Sequence, residues 1–440
     1  MNPEKVQIVK YSPPPPDLPV YGRVNPKDVS FFGRTNYETA LESKKFVFGI
    51  KRKDRRRHFY IVGKSGVGKS KLLEILIRQD IAYGQGLCLF DPYGDIISNI
   101  LNFIPENRID NVILIDPTDN SRPIAFNPFK NVPPEMKHQL VYELIEIMKK
   151  QFDSGWTSPM EHIFRFIILA LLDYPQATVE GMILMLTNEN FRRKAAESSL
   201  DEMVKRFWTV EFVDWSKKID SNIIISLVNK FEQLIFNPLL YPIFKQEKNM
   251  IDFNKIINEN KIVLINLAKG KLGEENSNFF GSLFLAKIRQ AGILRMGGTQ
   301  VQDRKDFYLY IDEFSGVATD GFLNMLTEAD KYGFCLTLAH QYRSQLPSQI
   351  MAGVLGNVAN IVIFRLGGDD AYFFEKEMTP VFKSKDMINL GAQEFYVKMA
   401  IDGEAYDPFS AETLNVLPPP YSSSKGKIIE RSHQKYGRIE

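Results

Sequence analysis

The stretch His58-Phe59-Tyr60-Ile61-Val62-Gly63-Lys64-Ser65-Gly66-Val67-Gly68-Lys69-Ser70 decides how the chain is read. Its first part is a short run of apolar β-formers, and Leu72, Leu73, Leu76 and Ile77 follow at helical spacing. Between strand and helix, Gly63 to Ser70 matches G-x-x-x-x-G-K-[ST] at every defined position. Glycines let successive backbone amides turn inward onto phosphate oxygens, and the helix N-terminus adds favourable partial charge. Gly63, Lys64, Ser65, Gly66, Val67, Gly68, Lys69 and Ser70 are therefore the expected phosphate cradle of an ATP site. Lys69 is placed to neutralise the β- and γ-phosphates, and Ser70 to ligate Mg²⁺.

Working outward, strand and helix signals alternate: a strand at Leu87 to Phe90, a helix near 95–103 and a strand at Val112 to Ile115. Such alternation predicts a parallel, helix-covered sheet. On the other side, Phe46-Val47-Phe48 and Phe59 to Val62 flank the basic run 51–57 and read as a hairpin with a basic tip. Residues 1–44, with Pro13 to Pro16, read as an extended arm. Between 131 and 249 the texture becomes helical: Val141, Leu144, Ile145 and Met148 are spaced for one face, as are Ile163, Phe166 and Ile167. Strand signals resume at Ile262, Phe307, Phe334 and Ile361, and a helix fits 277–295. The expected layout is an arm over 1–44, an α/β core over 45–130 and 250–415, an all-α insertion over 131–249, and a flexible polar tail over 416–440.

Two carboxylates, Asp312-Glu313, close the apolar run Phe307 to Ile311. Charges at the end of a buried strand are costly unless they face a site. Beside a phosphate loop, Asp312 is suited to hold Mg²⁺ and Glu313 to orient and activate the attacking water. Another strand ends at His340-Gln341, which puts Gln341 in reach of the γ-phosphate or that water, with His340 behind it. Asp91, in Asp91-Pro92-Tyr93-Gly94-Asp95, reads equally as a neighbour of the magnesium or as a structural turn.

Composition bounds the rest. A formal charge of +2 leaves any nucleic-acid surface to local patches, such as 51–57, Lys269 and Lys271, or the basic tail, each of which also reads as a solvated charge run. The two cysteines, Cys88 and Cys335, lie in apolar runs and read as reduced core residues. No apolar segment is long enough to span a bilayer and no signal-peptide layout opens the chain, so a cytoplasmic protein is expected.

Several motifs now stand in a fixed order: the glycine loop, Asp91 to Asp95, Trp156 and Pro159-Met160-Glu161 in the helical region, Asn266 to Gly273, Tyr310 to Phe314, Ala339 to Tyr342, and Phe364-Arg365-Leu366-Gly367. This set resembles the HerA/FtsK-type ATPases related to TraG/TraD-like conjugative coupling proteins, over about residues 30–410. The resemblance implies a RecA-like P-loop NTPase core with a mainly parallel sheet and an inserted all-α domain. It implies ATP hydrolysis with Mg²⁺, a homo-hexameric ring that moves DNA, and sites completed by an arginine from the next subunit. Relatives commonly carry that arginine where this chain has Asp330, in Glu328-Ala329-Asp330-Lys331-Tyr332-Gly333. Arg365 is the next candidate, followed by Lys331 and Arg343. Coupling proteins also usually carry N-terminal membrane anchors, which are not seen here. A second reading is therefore a nucleotide-switched ATPase that delivers protein cargo to type IV secretion or pilus components.

Overall fold

The computed structural model describes residues 9–38, 45–218, 221–298, 303–419 and 423–438, without the side chains of 216–218 and 221. Thirteen strands occur among these residues: β1 (Val29–Thr35), β2 (Val47–Lys51), β3 (Phe59–Val62), β4 (Gly86–Asp91), β5 (Val112–Ile115), β6 (Ile262–Asn266), β7 (Phe307–Ile311), β8 (Phe334–His340), β9 (Asn360–Ile363), β10 (Glu394–Lys398), β11 (Ala400–Ile401), β12 (Glu404–Ala405) and β13 (Phe409–Thr413). Eleven form one sheet in the order β2-β1-β13-β10-β9-β3-β8-β7-β4-β6-β5. From β9 to β5 every neighbouring pair is parallel. From β2 to β9 every pair is antiparallel. The protein is an α/β fold with a mainly parallel sheet, as its sequence predicts.

Parallel strands lie beneath helices on both faces, so they read as continuous apolar runs. β3, β7 and β8 are buried at every position. Their alternate side chains part between two cores. Phe59, Ile61, Tyr308 and Tyr310 join the face covered by the helix Lys69–Ala82, which supplies Leu72, Leu73, Leu76 and Ile77. Tyr60, Val62, Leu309 and Ile311 join the other face. Each such apolar side chain contributes about 1.5–3 kcal/mol on leaving water.

Between β5 and β6 every described element is helical. These helices share one apolar cluster with the second face of the sheet. The helix Lys137–Phe152 leads them and packs on the long helix Glu274–Gly298.

Three expectations need correction. The basic run 51–57 is not a hairpin tip, because β2 pairs with β1 and β3 pairs with β8 and β9. A 3-10 turn, Arg52–Arg57, joins β2 to β3 and sends Arg52 and Arg55 inward. Arg55 is buried and donates to both carboxylate oxygens of Asp80, at 2.8 and 3.0 Å, and to Tyr310 Oη at 2.6 Å. Arg52 pairs with the same carboxylate at 2.5 Å. The signal missed in the sequence is Asp80 itself, an acid inside the apolar helix that needs a buried cation. Secondly, the arm is not free: within it β1 joins the sheet between β2 and β13, and Gln79 Oε1 accepts from Phe31 N at 2.8 Å.

Thirdly, the segment expected as a flexible tail forms the helix Lys425–Tyr436 against the β5 edge. Ile428 is fully buried there. Ser432 Oγ accepts from Leu114 N at 2.9 Å, and Lys435 and Arg431 pair with Asp110. Too few apolar residues mark this helix for periodicity to detect it.

Removing one partner of a buried ion pair leaves an uncompensated charge, at a cost of about 3–5 kcal/mol. Asp80→Ala should therefore lower the unfolding free energy by about that amount and shift the urea midpoint down accordingly. A midpoint equal to that of the parent chain would refute the structural role given to Asp80.

Candidate nucleotide site

The site is assembled where parallel strands end. β3 runs straight into the glycine loop, and the loop into the helix that starts at Lys69. Gly66 and Gly68 take φ of +75° and +122°, which L side chains rarely adopt. Gly63 is required for a different reason: a Cβ there would lie 2.6 Å from the Cβ of Phe364. The loop is tied to the end of β9 by Lys64 N donating to Arg365 O at 3.0 Å. On its other flank Gln393 N donates to Val67 O at 2.9 Å.

Lys69 curls back into this loop. Its Nζ donates to the carbonyls of Gly63 at 2.7 Å and Lys64 at 2.9 Å, and burial lowers its pKa. Two neutral carbonyls hold this ammonium where phosphate oxygens would be stronger acceptors. Ser70 Oγ lies 3.4 Å from Asp312 Oδ2. Asp312 is buried, and its pKa is pushed up to about 7, first by burial and then by the nearby carboxylate of Asp91. Lys69 opposes that shift without cancelling it.

Glu313 takes a left-handed backbone, φ 49° and ψ 48°, a conformation that costs a non-glycine residue about 1–3 kcal/mol and clusters at functional sites. Its two oxygens are both engaged. Gln341 Nε2 donates to Oε1 at 2.6 Å, and Lys269 Nζ stands 3.4 Å from Oε2. Gln341 is thus brought to Glu313 from the end of β8, two strands of one sheet meeting through their C-terminal residues. His340 is buried beneath them against Phe314, 3.2 Å from Tyr60 Oη, and burial lowers its pKa to about 3. It therefore sits as a neutral packing residue at ordinary pH.

The remaining expectations divide. Asp91 is a structural turn and a neighbour of Asp312 at once: it accepts from Tyr93 N at 3.2 Å and Ile97 N at 2.9 Å, and burial raises its pKa. Lys269 does not stand free on an open loop, since it bridges Glu313 and Glu274. The exposed Arg365 follows β9, on the edge that carries the loop. Asp330, also exposed, precedes β8 and so lies at the opposite edge of the parallel strands. Gln393 and Phe364 were not singled out from the sequence. The only signal for Phe364 was its place before Arg365-Leu366-Gly367, and Gln393 has none because its partner Val67 is remote in the chain.

The donor set suits a hard divalent cation. Asp312 and the Ser70 hydroxyl stand side by side, Asp91 adds negative charge, and the countercharge from Lys69 is incomplete. No group of three or more His, Cys, Asp or Glu able to hold a metal occurs among the described residues. The Ser70 hydroxyl and the Asp312 carboxylate are the kind of oxygen donors Mg²⁺ takes, one or two from the protein together with substrate phosphates.

A phosphate loop, an acidic strand end and a glutamine that meets it, on adjacent parallel strands, define a P-loop ATPase. Residues 45–288 match the family described as Helicase HerA, central domain, and the chain belongs to that family. No curated protein sequence matches the chain. Among solved structures it is similar to the plasmid coupling protein TrwB bound to the non-hydrolysable GTP analogue GDPNP, with TM-score 0.60 and 14% identity over 91% of this chain and 98% of that one. The unbound conjugative coupling protein TrwBdeltaN70 gives TM-score 0.61 and 14% identity over 84% and 89%. VirB4 of Thermoanaerobacter pseudethanolicus gives 0.53 and 12% over 82% and 89%. No described helix is long and apolar enough to cross a membrane.

The raised Asp312 pKa makes a signed prediction. A carboxyl whose folded pKa exceeds its unfolded value binds its proton more tightly when folded, so the nucleotide-free protein loses stability as pH rises from about 4 through 7. Asp312→Asn cannot ionise, and without Mg²⁺ or nucleotide it should exceed the parent chain in stability at pH 8 by on the order of 2–4 kcal/mol, with the gain vanishing toward pH 4. Equal thermal midpoints at pH 8 would count against the buried, crowded carboxylate.

Proposed function

We propose that the chain is an ATP-driven DNA translocase that works as a ring, with hydrolysis carried out by Lys69, Ser70, Asp312, Glu313 and Gln341. The observation that carries this reading is the meeting of Glu313 and Gln341, 2.6 Å apart, beside the Ser70 and Asp312 pair in a HerA-family chain. The glycine loop, Gly63 to Ser70, wraps the phosphates with its amides. Lys69 exchanges the carbonyls of Gly63 and Lys64 for β- and γ-phosphate oxygens. Ser70 and Asp312 hold Mg²⁺, which when bound neutralises charge developing on the phosphates.

Glu313 accepts the proton of the attacking water. In the nucleotide-free protein its Oε1 is occupied by Gln341, so the arrival of a γ-phosphate for Gln341 to bind frees that oxygen for water. Gln341 thereby reports nucleotide state along the backbone to Gln345, whose Oε1 accepts from Gln341 N at 3.1 Å. Arg365, the resemblance's candidate for the arginine a neighbouring subunit supplies, stands exposed beside its own loop, tied there by Lys64 N donating to its carbonyl. From that position it acts within its own chain on charge on the transferred phosphoryl group. TrwB has been solved with ADP and Mg²⁺ and with an ATP analogue, which supports ATP and Mg²⁺ here as well.

DNA as the moved substrate is supported by the HerA helicase family. On a ring, the opposite edges of the sheet supply the two sides of each subunit contact, with the loop and Arg365 at one edge and Asp330 at the other.

Lys69→Ala should abolish nucleotide binding, and Glu313→Gln should keep ATP bound while reducing turnover at least a hundredfold, a typical magnitude for loss of general-base catalysis. ATPase rates measured with and without single- and double-stranded DNA test the substrate. A rate indifferent to both, with no binding to either, would refute translocation of DNA.

A further inference from the structure

Glu313 opens a short turn rather than a helix. Phe314–Gly316 form a single 3-10 turn, Val317 and Ala318 continue it, and Thr319 caps the next helix by accepting from Phe322 N at 3.2 Å. The turn closes on itself through Gly316 N to Glu313 O at 3.1 Å and Val317 N to Phe314 O at 3.0 Å. Two of its carbonyls are satisfied from elsewhere in the chain. Lys150 Nζ donates to Ser315 O at 2.6 Å and to Ala318 O at 2.8 Å.

Lys150 lies in the last turn of the helix Lys137–Phe152, the first long helix of the inserted region. Much of its side chain is open to solvent, yet burial around its ammonium lowers its pKa to about 8, and the contact is made through these two charge-assisted bonds. The opposite side of the turn is already closed. A Cβ on Gly316 would lie 2.3 Å from Asn278 Oδ1, and one on Gly281 3.0 Å from Val317 Cγ1. The turn is therefore clamped between the long helix Glu274–Gly298 and the Lys150 ammonium.

A second tie lies on the same helical face. Glu143, seven residues and about two turns before Lys150, pairs with Arg289 of the long helix at 2.7 Å. That pair is buried, and burial raises the Glu143 pKa to about 7. One rigid helix thus grips both the long helix and the turn that carries Glu313. Beyond Lys150 an open cleft lined by Glu146, Lys149, Ser315, Thr319 and Gln345 separates this helix from the segment that follows Gln341.

We propose that Lys150 is a positioning residue for Glu313: by holding the carbonyls of Ser315 and Ala318 it sets the left-handed turn in which Glu313 faces the water. A change in where Lys150 stands then changes the rate of hydrolysis without any contact with nucleotide. The proposal rests on the reading of Glu313 as the group that activates water. A misplacement of about 1 Å at a reacting group costs up to a hundredfold in rate, and loss of one of several restraints costs less.

The test uses the full chain with Lys150→Met, Lys150→Arg and Glu313→Gln. Lys150→Met should lower kcat roughly tenfold, leave KM for ATP and binding of a non-hydrolysable ATP analogue unchanged, and leave the thermal midpoint near that of the parent chain. Lys150→Arg, which keeps the charge and the donors, should restore most of kcat. An unchanged kcat in Lys150→Met, a change confined to KM, or a loss that arginine does not restore would overturn the proposal. Full turnover in Glu313→Gln would remove the reading of Glu313 and this proposal with it. Loss in Glu313→Gln beside normal turnover in Lys150→Met removes this proposal alone.

Discussion

The parallel pairing of β9, β3, β8, β7, β4, β6 and β5 is the constraint on which the rest depends. Strands that run the same way end on the same edge, so residues scattered from Gly63 to Arg365 must emerge there together. The loop after β3, Asp91 at the end of β4, Asp312 and Glu313 after β7, and Gln341 after β8 are neighbours for this reason alone. The register is held by buried side chains that alternate between two cores, and a slip of one residue would turn Tyr60 and Val62 into the wrong one.

Charge is the second organising theme, and it is distributed unevenly. Far from the loop, Asp80 is fully satisfied by Arg52, Arg55 and Tyr310, and the cluster locks the first strands to the helix behind the loop. At the strand ends the balance is left open. Asp312 and Asp91 crowd each other, while Lys69 is drawn back to carbonyls. Such unmet demand is what a nucleotide with its cation would relieve, whereas both oxygens of Asp80 are already paired. The difference between the two buried acidic clusters separates a site from a staple.

How much of this was legible in the sequence follows from where each signal lies. The placement of the phosphate loop, Asp312-Glu313 and Gln341 at strand ends was legible because each is a contiguous string at the end of an apolar run. The roles of Arg55 and Lys269 were not, since a basic residue in a polar run looks the same whether it meets solvent, Asp80 or Glu313. β1 was hidden because its partner β13 lies far along the chain and its own pattern, buried almost throughout, follows a proline-rich opening. Lys150 was invisible for the same reason: its two acceptors are backbone carbonyls, which carry no sequence signature.

The helix that covers β5 bears on how the chain comes into being. Ser432 and Leu114, which it joins, are 318 residues apart. At ribosomal speeds of about 5–20 residues per second, that gap is roughly 15–60 s. β5 joins the sheet only once β6 has been made, and from then until the helix emerges the nascent sheet presents β5 as a bare edge, a ready template for pairing with another growing chain. Polysomes that bring many such chains close together give this edge its greatest exposure, and a chaperone that shields it would matter most before residue 425 has left the ribosome.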